Sequence, residues 1–151
     1  MKKRSTQRPF MRFLFFLYCA IILWLLFGRS FGWNKELTYE QMLLQNVNTT
    51  PLFTIKNYLR VIVQRTNDSV YIHCLINLLG NILLFMPIGF MIPKLWKKLR
   101  NYFKFFFITL LIILAIELLQ LFTLLGCCDV DDVILNMTGL TAGYIIWTIF
   151  K

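Results

Sequence analysis

Four long apolar segments constrain the fold of this chain more than any other feature of its sequence. They lie at residues 10–27, 71–93, 103–125 and 133–150. Each comes close to the ~20 residues with which a helix crosses a ~30 Å hydrocarbon layer. The chain is 58% hydrophobic and 15% charged, which leaves too little polar surface for a small soluble domain. The sequence therefore predicts an all-α integral membrane protein with four transmembrane helices in one domain, residues 13–150, after a basic segment at residues 1–12.

The placement of lysine and arginine predicts the orientation of these segments. Basic residues precede the first segment and fill the connection 94–104, whereas the turn between the third and fourth segments holds three aspartates and no basic residue. By the positive-inside rule, both termini and the connection 94–104 lie in the cytoplasm. The net charge of +9 is then explained by topology and anionic lipid, so nucleic acid is not an expected partner. Five basic residues in the outer connection 28–70 mildly oppose this orientation.

The first apolar segment has two interpretations. A basic start, an apolar stretch and small residues at Gly28 and Ser30 fit a cleaved secretory signal peptide. The apolar stretch is long for that role, and three further segments follow it. This favours an uncleaved membrane anchor.

The connection between the first two segments contains a predicted amphipathic helix. Thr50 and Pro51 fit a helix start, with a capping residue followed by proline at the first helical position. Apolar side chains then recur at helical spacing, at Leu52, Ile55, Leu59 and Ile62. Such a helix either lies on the outer leaflet or packs against the four-helix body, and the sequence leaves both possibilities open.

Polar side chains interrupt three of the apolar segments at a similar depth. A carboxylate facing lipid costs about 2.5–3.5 kcal/mol, and no basic residue lies deep in the segments to pair with Glu117. A rise of ~1.5 Å per residue places the polar positions in the outer half of the membrane. We therefore predict an outward-facing polar pocket formed by Asn77, Asn81, Glu117, Gln120, Asp129, Asp132 and Asn136. The alternative is that the amides only join helices by hydrogen bonds.

Small residues and prolines predict how the helices pack. Gly139 and Gly143 have the spacing that allows a neighbouring helix to approach closely, and prolines kink or end helices. The predicted packing residues are Gly80, Pro87, Gly89, Gly139 and Gly143. We expect no metal and no cofactor, because His and Cys lack metal-site spacing and there is no phosphate-binding loop or dinucleotide motif.

Four stretches together resemble the VanZ-like family of bacterial membrane proteins. They are "VNTTPLFTI" in the outer connection, "NLLGNILLFMPIGFMIP" from Asn77, "ELLQ" from Glu117 and "DVDDVILNMTGLTAGY" from Asp129. No single stretch is specific, but their order and spacing are. The chain departs from the family pattern at Leu52, where the family often has Pro-Phe, and at Cys127-Cys128, where many members carry other residues.

The resemblance implies a multi-pass protein of the bacterial plasma membrane. The family is named for a protein associated with low-level resistance to teicoplanin, a lipoglycopeptide antibiotic that binds peptidoglycan precursors outside the membrane. The implied partners are the lipid bilayer and either a lipid-linked cell-wall precursor or a lipoglycopeptide.

Three functions are compatible with the sequence. The favoured one is a non-enzymatic envelope factor whose outward pocket binds a lipid-linked or antibiotic ligand. The second is an intramembrane enzyme acting on a lipid-linked cell-wall substrate, with Glu117 and Asp132 as acid and base, although no nucleophile or metal is evident. The third is a small transporter or assembly subunit. The two halves of the sequence show no repeat symmetry, which counts against a transporter.

Overall fold

The computed structural model describes residues 3–28, 36–65 and 67–151. Within these ranges the chain forms six α-helices: α1 Lys3–Phe27, α2 Tyr39–Gln45, α3 Phe53–Gln64, α4 Asp68–Leu95, α5 Tyr102–Thr123 and α6 Val130–Ile149. Two short strands, β1 Val47–Asn48 and β2 Cys128–Asp129, and a 3₁₀ turn at Lys97–Arg100 complete the fold.

Helices occupy all four of the apolar segments. In the described ranges, three helices contain stretches long and apolar enough to cross a membrane: Arg8–Phe27, Asp68–Leu95 and Tyr102–Thr123. The protein is therefore all-α with several helices of membrane-spanning character, as the sequence predicts. The fourth helix, α6, has 20 residues but is less apolar, because Asp131, Asp132 and Asn136 fall within its first two turns.

The surroundings of α6 explain why it needs fewer apolar residues. It contacts α3, α4 and α5, so much of its surface is covered by protein. A methyl group added at Gly139 or Gly143 would collide with backbone carbonyls of α4, and one at Gly89 would collide with the carbonyl of Leu140. Three of the four predicted packing glycines, Gly89, Gly139 and Gly143, thus lie where the backbones of α4 and α6 touch.

Two other predicted packing residues lie in different settings. A Cβ added at Gly80 would meet no described atom within 4 Å, because Gly80 borders a cavity rather than a neighbouring helix. Its predicted packing role therefore has no counterpart in the structure. Pro87 is exposed, and α4 continues through both Pro87 and Pro93 to Leu95, so neither proline ends the helix.

Aromatic packing closes the end of the bundle that carries the connection 94–104. The rings of Phe105 and Tyr144 are 4.8 Å apart between centroids, and both side chains are buried. The Tyr144 hydroxyl donates to the Arg100 carbonyl at 2.6 Å, and the Arg100 guanidinium lies 5.7 Å from the Trp147 ring centroid. The basic connection is therefore fixed against the carboxyl end of α6.

Residues 38–64, which lie between α1 and α4, fold over the opposite end of the bundle. α2 begins with a capping box between Thr38 and Gln41. The Tyr39 hydroxyl donates to the Phe122 carbonyl of α5 at 2.8 Å. β1 then pairs in parallel with β2, with Asn48 opposite Asp129. Neither α2 nor the strand pair was predicted from the sequence.

The predicted start of α3 is corrected by the structure. The helix begins at Phe53, after Leu52 in a left-handed conformation with φ 63°, and it has no side-chain cap of its own. Thr50 and Pro51 precede it in a bend and turn. The predicted apolar face also divides: Ile55 is half-buried against the body, whereas Leu59 is exposed. α3 therefore packs on α4 and α6 and keeps part of its apolar surface uncovered.

Candidate functional site

A cavity of about 470 Å³ lies at the end of the bundle where α5 turns into α6. Its walls come from the last turns of α1, from α3, from the first half of α4 and from the α5–α6 turn. The polar side chains in the wall are Thr54, Tyr58, His73, Asn77, Asn81, Gln120, Cys127, Asp129 and Asp132. The remaining wall is formed mainly by leucine and isoleucine side chains of α1 and α4, with Leu125, Gly80 and Gly126, so the cavity has a polar side and an apolar side.

The structure brings five of the seven predicted pocket residues to this cavity. They are Asn77, Asn81, Gln120, Asp129 and Asp132. Glu117 and Asn136 are each 3% exposed and are not part of the cavity wall. The carboxylate that suggested a pocket, Glu117, thus lies behind the wall instead of facing the opening.

Backbone N–H groups near the amino end of α6 donate hydrogen bonds to the buried carboxylates. The Asp129 N–H donates to Glu117 Oε2 at 3.4 Å. Asp129 is the capping residue of α6, and its Oδ1 accepts the Asp131 N–H at 2.9 Å. Both carboxylates therefore lie at the amino end of α6, where free N–H groups and the helix dipole favour negative charge.

Asp131 caps a different helix from its own. Its side chain is fully buried, and its two oxygens accept the N–H groups of Leu52 at 2.5 Å and Ile55 at 3.0 Å. One carboxylate of α6 thus fixes the first turn of α3. The sequence predicts no such role for Asp131, which it shows only as one of three aspartates in the turn, because its partners lie 79 and 76 positions away in the chain.

Asp129 also binds the connection between α1 and α4. The Thr54 hydroxyl donates to its Oδ2 at 2.6 Å, and Asn48 Nδ2 donates to its Oδ1 at 3.2 Å. Neither Asn48 nor Thr54 was predicted as a site residue, and the signal that could have found them is their place in the "VNTTPLFTI" stretch. Together with Asp131, these bonds hold α3 over the amino end of α6.

The side-chain amides of the cavity wall donate hydrogen bonds from their NH₂ groups to oxygens of the protein. Asn81 Nδ2 donates to Asp132 Oδ1 at 2.6 Å, and this is the one hydrogen bond that the described residues give the Asp132 carboxylate. Gln120 Nε2 donates to the Leu26 carbonyl of α1 at 3.2 Å. Asn77 Nδ2 donates to the His73 carbonyl of its own helix at 3.2 Å. Gln120 and Asn81 thus join helices as well as line the cavity.

Asn136 differs from the predicted residues that line the cavity. Its Oδ1 atom is buried and has no hydrogen-bond partner among the described residues.

The described ranges contain no group of three or more His, Cys, Asp and Glu side chains placed to hold a metal ion.

The carboxylates give the cavity a negative field. Burial, and then the Asp129 and Asp132 carboxylates, raise the pKa of the Cys127 thiol above its usual value. Burial and then Asp132 likewise raise the pKa of the Tyr58 hydroxyl, which lies across the cavity on α3. Among the residues that the structure describes, no lysine or arginine lines the wall.

The four stretches that resemble one family in sequence meet around this cavity. The sequence profile of the VanZ/LLP1 family matches residues 15–151, nearly the whole chain. The chain belongs to the VanZ-like family. No curated protein and no solved structure matches it. In this VanZ-like protein the matching stretches supply Asn48, Asn81, Gln120 and Asp129, which lie on four different elements and converge at one end of the bundle.

Proposed function

We propose that this VanZ-like protein crosses the bacterial plasma membrane four times, with both termini in the cytoplasm and the cavity on the outer side. The basic connection 94–104 and Lys151 lie at the end of the bundle away from the cavity, as their contacts with Trp147 indicate. The positive-inside rule assigns that end to the cytoplasm. The uncovered apolar surface of α3, which includes the exposed Phe53 and Leu59, then lies near the outer leaflet.

The exposed surface of α6 supports its role as the fourth span. Its polar residues Asp131 and Asn136 are buried, so they are covered by protein rather than by lipid. Its most exposed large side chains are isoleucines, at 134, 145 and 149. The exposed Thr138 and Thr148 hydroxyls donate to carbonyls of α6 itself, so a surface of isoleucines and internally bonded threonines is suited to a membrane.

The function that this geometry supports best is that of a non-enzymatic envelope factor, one that lowers susceptibility to a lipoglycopeptide such as teicoplanin. The observation that carries this proposal is the cavity, because its volume of about 470 Å³ falls in the range of small-molecule pockets. An acylated ligand places its polar part against Asn81 and Asp132. Its chain then follows Leu26 and Ile76 on the apolar side.

Acid–base catalysis receives less support than binding. A general acid and base must reach a common substrate, yet only Asp132 of the proposed pair lines the cavity. Glu117 is buried under the α5–α6 turn and receives the Asp129 N–H. This arrangement favours a binding role for the site.

Filling the cavity tests the proposal. Gly80→Leu places a side chain into open space, since a Cβ there meets no described neighbour within 4 Å. The matched control is Leu79→Phe, because Leu79 is exposed on the lipid-facing side of the same helix. In a susceptible Gram-positive host, the native chain and Leu79→Phe should raise the inhibitory concentration of teicoplanin more than that of vancomycin. The reason is that teicoplanin carries an acyl chain and works at the membrane surface.

The Gly80→Leu chain should lose this effect at unchanged abundance in the membrane, measured by immunoblotting. Full protection by Gly80→Leu would show that the cavity is not used. Equal protection against both drugs would remove the membrane-surface argument.

A further inference from the structure

The carboxylates at this end of the bundle are unequally occupied. Asp131 is buried behind the cavity wall and uses both carboxylate oxygens on the first turn of α3, and Asp129, which lines the cavity, receives three donors. Glu117 is not part of the wall. Asp132 is the remaining carboxylate, and its Oδ2 receives no hydrogen bond from the described part of the chain. One carboxylate oxygen at the cavity is therefore left for a ligand.

The side-chain amides of the cavity wall also have carbonyl oxygens that can accept hydrogen bonds from a ligand. Asn77, Asn81 and Gln120 each give their NH₂ group to a protein oxygen, and no donor among the described residues reaches their side-chain carbonyl oxygens. A protonated primary amine offers three donors and no acceptor, so it complements this wall. A phosphate offers only acceptors and would place a second anion beside Asp129 and Asp132, with no lysine or arginine in the described wall to offset it.

We propose that the cavity binds a ligand carrying a protonated primary amine, with the ammonium group against Asp132 and the apolar part of the ligand along Leu26, Ile76 and Leu84. This inference rests on the proposed binding function and assigns a chemical class to its ligand. The amine belongs either to a membrane amphiphile or to a small water-soluble molecule, and the apolar wall formed by α1 and α4 favours the amphiphile.

Cys127 provides a reporter for occupancy because its side chain lines the same cavity. The protein carries Cys128→Ser and is placed in phosphatidylcholine nanodiscs, and a maleimide labels Cys127 at fixed pH. The label is located by peptide mass spectrometry. The probes are n-octylamine, n-octanol, n-octyl phosphate and n-propylamine. Labelling rates with and without each probe are compared as a ratio, since removing the Asp132 charge by itself changes the thiol pKa.

Octylamine should slow the labelling of Cys127 several-fold, whereas octanol and octyl phosphate should not. Asp132→Asn should remove the protection and Asp132→Glu should retain it. Asp68→Asn, an exposed acid at the start of α4, should behave like the native chain. Equal protection by propylamine would assign the site to a water-soluble amine.

Protection by octyl phosphate, undiminished protection in Asp132→Asn, or protection by none of the probes would overturn the amine assignment. The drug-susceptibility test of the proposed function is read independently. If the chain confers resistance but octylamine does not protect Cys127, only the amine assignment is refuted. If octylamine protects Cys127 but the chain confers no resistance, only the envelope role is refuted.

Discussion

Replacing Asp131 with asparagine tests how α3 is held over the cavity. The Asp131 carboxylate receives the N–H groups of both Leu52 and Ile55. Asparagine keeps one oxygen and turns an N–H₂ group toward the second amide, so one charge-assisted bond is lost. Such a bond contributes about 1.5–3 kcal/mol, which corresponds to about 10- to 150-fold more frequent opening of the first turn of α3.

Hydrogen–deuterium exchange of the protein in nanodiscs measures this opening directly. In Asp131→Asn, peptides covering residues 52–56 should exchange about 10- to 150-fold faster, while peptides of α5 should be unchanged. Asp68→Asn is the matched control, because Asp68 is exposed and lies in the first turn of α4. If residues 52–56 exchange at the native rate in Asp131→Asn, the carboxylate does not hold α3 and the cross-helix cap is wrong.

The remaining predictions concern the crossing of α4 and α6, the Asp129 network and the α5–α6 turn. Gly143→Ala should reduce the yield of folded protein in size-exclusion chromatography, because its methyl would collide with the Met86 carbonyl; Gly80→Ala should be tolerated or stabilising by up to about 1 kcal/mol. Thr54→Val removes the 2.6 Å bond to Asp129 and should lower thermal stability by about 1–3 kcal/mol; an unchanged melting temperature would count against the network. In Cys128→Ser protein, maleimide labelling of Cys127 should keep accelerating with pH above the usual thiol range, because its pKa is raised and less thiolate forms at a given pH; saturation within the usual range would contradict this.

Features that depend on local sequence could be predicted from it. The lengths of the apolar segments determine the main helices, since a membrane requires a continuous apolar run whatever its neighbours are. α2 was also readable in principle, because Thr38 and Gln41 have capping-box spacing. The orientation of Asn81 and Gln120 toward a common cavity followed from helical periodicity and depth.

Features that depend on distant contacts could not be predicted in this way. Helical spacing puts Glu117 and Gln120 on one face, yet only Gln120 lines the cavity. The chain reverses after α5 through Leu124, with φ 54°, and brings the Asp129 N–H to Glu117. The start of α3 was placed too early for a related reason, because its cap is Asp131 of α6 rather than Thr50.

The accessibility of position 80 shows whether the cavity opens to the outside of the membrane. Gly80 lies near the middle of α4, borders the cavity and has room for a side chain. With Cys127 and Cys128 changed to serine, Gly80→Cys should react with a membrane-impermeant maleimide added to intact cells. Leu79→Cys, one position away on the exposed side of α4, should not react. Labelling of both positions alike, or labelling of Gly80→Cys only from the cytoplasmic side, would contradict the account.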